Sequence, residues 1–301
     1  MKRLFRMPIF VIAILFILFV SQGNCFSADK LPVFVSIVPQ KYFVQQIGKN
    51  LVDVQVMVQP GSSPATYEPT PQQMADLSKA KNYFAIGVPF ENVWLEKIAA
   101  TNPNMRVVHT DHRIEKHAMA AYHHHDCHEE KQHKGGHEPT GLDPHIWLSP
   151  PLVKIQARAI LAALQEADPE HRSAYGANFK VFSARIDQLD ADLKETFTGK
   201  KGLGFMVFHP AWGYFARAYG LKQVPIEIEG KAPKPGQLKE LIEHAREKGI
   251  KVIFVQPQFS TKSAKLIARE IGGQVAFANP LAEDWLANLR QIADKFGAAL
   301  K

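Results

Sequence analysis

Eight short apolar runs limit how this chain can fold, because nearly all of them are separated by stretches of helical spacing. Four lie in the first half, at 31–38 (LPVFVSIV), 52–58 (VDVQVMV), 83–86 and 106–109. Four lie in the second half, at 204–208 (GFMVF), 223–228, 251–255 and 274–277. Helices are expected between them at 39–47, 72–80, 92–100, 211–219, 235–248 and 263–271, with a last one at 285–296. Pro71 stands near the start of one helix, and Gly48, Gly220, Gly249 and Gly272-Gly273 stand at the ends of others, where such residues punctuate helices. Strands alternating with helices at this spacing mean βαβ units and mostly parallel sheets.

Two helical stretches with no strand between them, 151–167 and 169–197, divide the two halves. Val153, Ile155, Ile160, Leu161 and Leu164 form an apolar face on the first; Phe179, Phe182, Ile186, Leu189 and Leu193 form one on the second. No Gly/Ser-rich linker occurs, so this segment reads as a spine between two α/β lobes. The expected organisation is 1–28 as a signal peptide, 29–148 as an N-terminal lobe containing a His-rich loop at 117–138, 149–198 as the spine, and 199–301 as the C-terminal lobe.

Lys2, Arg3 and Arg6 precede an unbroken apolar run at 9–20, followed by small and polar residues. The run is short for a bilayer span and has the form of a secretory signal, with cleavage after Ser27 or Ala28. Cys25 admits a lipid anchor, but Asn24 stands where a lipobox wants a small residue, so soluble export is expected. The formal charge of +7 falls to about +4 without the three basic residues of the leader. With no basic cluster interleaved with aromatics, nucleic acid is not an expected partner. Of the two cysteines, only Cys127 would survive processing, which excludes an intramolecular disulfide framework.

Seven of the thirteen histidines fall within 122–147: His123, His124, His125, His128, His133, His137 and His145. Neutral imidazole is a common metal ligand, and a short His-rich tract with no apolar periodicity reads as a metal-binding loop. His145 follows Asp143-Pro144, just before the spine. His209, in Phe208-His209-Pro210-Ala211-Trp212-Gly213-Tyr214, follows a strand at the carboxyl end, where open α/β sheets collect ligands.

Taken in order, P-G-x-x-P-x-x-Y-E-P-T-P at 60–71, the His-rich loop, D-P-H-x-W-L at 143–148, F-H-P-A-W-G-Y-F at 208–215, P-Q-F-S at 257–260 and N-P-L-A-E-D-W at 279–285 resemble the ZnuA/TroA-type (cluster A-I) solute-binding proteins of zinc and manganese ABC importers. The resemblance covers residues 31–298. It implies two Rossmann-like lobes bridged by one long rigid helix, with a metal held in the cleft between them. It also implies a periplasmic or extracytoplasmic monomer that passes zinc to a membrane permease. The His-rich loop points to zinc over manganese.

The resemblance places metal ligands at His145 and His209. Its first ligand position is occupied here by Ala65 and its fourth by Asn279, which offers only a neutral carbonyl oxygen. A tetrahedral zinc site needs more than two protein ligands unless another molecule completes it. The loop histidines could fold over; Glu68, Glu227 or Glu229 could substitute; or the cleft could bind metal weakly, or as a complex. Two other classes stay open: a zinc store, chaperone or adhesin not tied to an importer, and a metal-dependent hydrolase in which Asp143 or Glu68 activates water. Motifs for peptidase, esterase or nucleotide chemistry (H-E-x-x-H, G-x-S-x-G, Walker A, G-x-G-x-x-G) do not occur.

Overall fold

Two four-stranded parallel sheets with the same strand order carry the molecule in the computed structural model, which describes residues 29–120, 141–228 and 231–300. The first sheet contains β1 (Leu31–Val35), β2 (Val52–Val56), β3 (Asn82–Ala85) and β4 (Arg106–His109), ordered β2-β1-β3-β4. The second contains β5 (Gly204–Val207), β6 (Lys222–Pro225), β7 (Val252–Val255) and β8 (Gln274–Phe277), ordered β6-β5-β7-β8. All pairings are parallel, so each connection must cross over the sheet. The crossovers carry α1 (Val38–Gly48), α2 (Pro71–Asp76) and α3 (Glu91–Thr101) in the first lobe. The second lobe carries α6 (Gly213–Ala218), α7 (Pro235–Glu247) and α8 (Lys262–Glu270), and ends in α9 (Trp285–Ala299). Both sheets lie within one compact unit, Leu31–Lys301.

The eight strands and their connecting helices fall close to where the alternation puts them; the strands expected over 31–38, 52–58 and 223–228 end early, at Val35, Val56 and Pro225, and two helices are shortened. The helix expected over 72–80 ends at Asp76 and continues as a 3-10 turn, Leu77–Lys79. Its last carbonyls are drawn outward: Asn102 Nδ2 donates to Leu77 O, Ser78 O and Ala80 O at 2.9–3.1 Å. A side chain from the next helix therefore replaces the intrahelical partners. The helix expected from 211 starts at Gly213, because Ala211 N is turned to His209 O (2.8 Å) and Trp212 N to Gln223 Oε1 (2.6 Å).

The spine is a helix pair. α4 (Pro150–Ala167) runs for 18 residues, a 3-10 turn (Pro169–His171) reverses the chain, and α5 (Arg172–Thr196) runs for 25. The two helices pack together along their apolar faces. At 1.5 Å per residue α5 is about 37 Å long, long enough to touch both lobes. Near its start Asn178 Nδ2 donates to Ile47 O in the first lobe (2.9 Å). Near its end Asp192 pairs with Arg290 of α9 (3.0 Å). The long helix of the fold is thus α5, braced by α4.

Buried residues of both lobes form one continuous core beneath the cleft. At the junction Phe43 of α1 meets Trp285 of α9 edge to face at 5.2 Å and Phe182 of α5 at 6.1 Å. In the second lobe Phe296 stacks on Phe205 at 4.3 Å and meets Phe254 at 4.4 Å. Opening the lobes at this junction would separate these buried rings and forfeit their contacts.

Candidate metal centre

The cleft lies beyond the carboxyl ends of strands from both sheets. Ser63, Pro64 and Ala65 follow β2; Val88 and Pro89 follow β3; Met119 follows β4. From the other side come His209 after β5, Gln258 and Phe259 after β7, and Pro280 and Leu281 after β8. Pro144, His145 and Trp147 complete the wall, around an empty volume of about 530 Å³ that includes solvent at the mouth. Parallel order explains the convergence, since every strand in each sheet ends on the same side.

His145 is held by its own loop. Asp143 Oδ1 accepts from both His145 N (2.9 Å) and His145 Nδ1 (2.7 Å). Asp143 is in turn fixed on the backbone: its N donates to His117 O (2.7 Å), and Tyr214 Oη donates to its carbonyl (3.0 Å). Gly213 permits this approach, because a Cβ there would stand 2.9 Å from Asp143 Oδ2. Trp147, two residues on, donates Nε1–H to Pro280 O (2.7 Å), while Trp285 Nε1–H reaches Trp147 O (2.6 Å). These two indoles tie the His145 segment to the second lobe.

His209 is held by strand ends. Gln256 brackets its backbone, accepting from His209 N (3.2 Å) and donating to His209 O (2.7 Å). Its Nδ1 lies 2.7 Å from Glu227 Oε1. Register explains the pair: β5 and β6 align Val207 with Pro225, so the residues two positions further on, His209 and Glu227, emerge side by side. Phe259 stacks on the His209 ring at 4.9 Å.

Each imidazole therefore gives its Nδ1–H to a buried carboxylate, which leaves Nε2 as a lone-pair donor. The ring centroids are 5.2 Å apart at 70°, within reach of one ion at Zn–N distances of about 2.0–2.1 Å. Burial, opposed by the Asp143 charge, holds the His145 pKa below 6.5. The ring is neutral at pH 7, the form that binds metal. A carboxylate behind each imidazole fixes tautomer and orientation and raises basicity, as second partners do in zinc sites.

The other sequence candidates are placed differently. Ala65 lines the cleft wall, and its methyl group offers no ligand. Glu68 is an exposed loop carboxylate outside the cleft lining. Asn279 Oδ1 accepts from Leu281 N (3.0 Å) and from Gln258 Nε2 (3.4 Å), so its oxygen is engaged in shaping the turn. Glu227 orients His209, with 5% of its surface exposed. His123, His124, His125, His128, His133, His137, Cys127 and Glu229 lie outside the described residues. Among the described residues no cluster of three or more His, Cys, Asp or Glu is arranged to hold an ion. Sequence reasoning missed Asp143 and Glu227 as orienting groups. An Asp two residues before a His was the visible signal for the first; the second required knowing that β5 and β6 are neighbours.

With this geometry in hand, comparison with known proteins is decisive. The family model described as "ZnuA: Zinc-uptake complex component A periplasmic" matches residues 33–299. The chain belongs to the ZnuA family. It is 30% identical over 282 residues to the high-affinity zinc uptake system protein ZnuA of Bacillus subtilis, covering 91% of this chain and 88% of that one. A crystal structure of ZnuA superposes with a TM-score of 0.82 at 43% identity, covering 91% of this chain and 100% of that one. A ZnuA deletion mutant with zinc bound superposes at 0.81 and 42% identity, covering 91% and 99%. The two-lobed α/β fold with its long helix is that of these ZnuA-type solute-binding proteins. The family is periplasmic, and no helix among the described residues is long and apolar enough to cross a membrane.

Proposed function

We propose that this chain captures zinc through Nε2 of His145 and His209 and delivers it to the membrane permease of a metal ABC importer. The observation that carries this reading is the pair of imidazoles, His145 buried and His209 part-buried, one from each side of the cleft, each with Nδ1 tied to a carboxylate. Neutral nitrogen ligands suit zinc better than calcium or magnesium, with manganese second. Names of relatives, including the zinc-binding AdcA proteins of Streptococcus pyogenes, support the same cargo.

The chain binds and releases; it breaks no bond in its cargo. Of the two carboxylates considered for activating water, Asp143 is 3% exposed and is used to hold His145, and Glu68 is exposed outside the cleft lining. The protein acts as an exported monomer, released when residues 1–28 are removed, with no nucleic-acid partner. The loop histidines His123, His124, His125, His128, His133 and His137 act as a low-affinity collector feeding the cleft.

Calorimetry with a competing chelator tests the reading. His145→Ala and His209→Ala should each abolish tight zinc binding, whereas removal of residues 122–138 should slow loading from scarce zinc. Tight binding that survives both single substitutions and vanishes only with the loop would transfer the function to the loop.

A further inference from the structure

The two imidazoles face a wall that is almost wholly apolar. Around them stand Ala65, Val88, Pro89, Met119, Phe259 and Leu281. Two nitrogens leave at least two positions of a tetrahedral zinc ion to be filled, and the described wall offers no charged group to fill them. Besides the two imidazoles, the polar side chains among the lining residues are Ser63, whose Oγ accepts from Ala65 N (3.3 Å), and Gln258. Gln258 Oε1 is buried and has no hydrogen-bond partner. The orientation of its amide is set by Nε2, which donates to Asn279 Oδ1, and that oxygen is already an acceptor for Leu281 N. Gln258 lines the cleft, and its Oε1 is a buried acceptor without a donor, which costs about 1–3 kcal/mol.

We infer that the cleft takes zinc together with a small chelating co-ligand, such as an amino acid, whose donor atoms complete the metal and whose N–H or O–H group binds Gln258 Oε1. This inference rests on the proposed capture of zinc by His145 and His209 and specifies its form. Three features of the site fit such a co-ligand better than a bare ion. The cleft is larger than an ion needs. Its apolar wall rewards burial of carbon. The unpartnered Gln258 acceptor asks for a hydrogen that bare zinc cannot supply. The carboxylates of Asp143 and Glu227, behind the imidazoles, balance the charge of the metal itself, so the co-ligand needs no cationic partner in the wall.

Native mass spectrometry and competitive zinc titration of the full mature chain test this, using zinc sulfate alone and zinc sulfate with equimolar L-histidine, L-cysteine or citrate. The expected result is a 1:1:1 protein–zinc–chelator species with at least one of the three, in which that chelator increases zinc loading tenfold or more. Gln258→Leu should reduce the ternary species several-fold. Ala65→His should tighten binding of zinc alone by tenfold or more and suppress the ternary species. If all three chelators strip zinc in proportion to their own affinities and no ternary species forms, the inference is overturned while zinc capture stands. Tight binding of zinc alone that depends on residues 122–138 overturns it in the same way. If zinc loads in neither arm, the capture reading fails as well.

Discussion

At the scale of single residues, the site depends on two hydrogen bonds that the metal never touches. Asp143→Asn and Glu227→Gln keep size and shape but remove the anion behind each imidazole. Each should weaken zinc binding about 10–100-fold, the usual effect of losing such a partner, with the fold unchanged by circular dichroism. Acid should release the metal by the same chemistry. His145 titrates below 6.5 because burial disfavours its cation, so protonation competes with zinc only as pH falls through that lowered value. Zinc retention measured by equilibrium dialysis should thus be flat above about pH 7 and collapse on acidification. The histidines themselves were legible in the sequence, because Asp-Pro-His and Phe-His-Pro each place an imidazole at a turn or strand end. Glu227 as partner of His209 was not legible, since eighteen positions separate them and only the β5–β6 register brings them together. Glu68, beside the vacant Ala65 position, reads in sequence chiefly as a solvated loop charge, and it is exposed in the structure.

At the scale of elements, the strand–helix alternation was readable almost throughout, because parallel strands buried on both faces appear as continuous apolar runs. The helix boundaries it missed are those where tertiary side chains, such as Asn102 just past α3 at the end of α2, replace helical partners. One element carries a measurable cost. Glu91 opens α3 with a carboxylate that accepts from Ile86 N (3.0 Å) and Gly87 N (2.7 Å), directly behind the cleft residues Val88 and Pro89. Burial nevertheless pushes its pKa up from 4.5 to about 6. The folded state therefore binds this proton more tightly than the unfolded state does. Through this group, stability is highest below about pH 4.5 and declines as pH rises to about 6, by about 2 kcal/mol at 1.36 kcal/mol per pKa unit. Glu91→Gln should remove that component of the pH dependence, as read from urea midpoints at pH 4.5 and 7. An unchanged pH profile would contradict the assignment. At the lobe junction, Trp285→Phe removes the donor to buried Trp147 O and should cost about 1–3 kcal/mol.

At the scale of the whole molecule, the sequence reads as two β/α lobes and a helical spine, and the structure ties them together through one core. The core runs unbroken from one sheet to the other, α5 contacts both lobes, and the two indoles pin the His145 segment across the cleft. Loading should therefore involve local ordering at the cleft instead of a wide hinge closure, and small-angle scattering of metal-free and zinc-loaded protein should give nearly the same radius of gyration. The completion of the metal site was not legible in the sequence, because Ala65 and Asn279 stand where a ligand was expected and spacing alone cannot show which groups face the cleft. The central claim, one zinc held between the lobes by His145 and His209, is tested most directly by the metal content of protein purified without chelators, measured by elemental mass spectrometry. The account predicts one zinc per chain, lost in both His145→Ala and His209→Ala. Zinc retained at one per chain in either variant would contradict it.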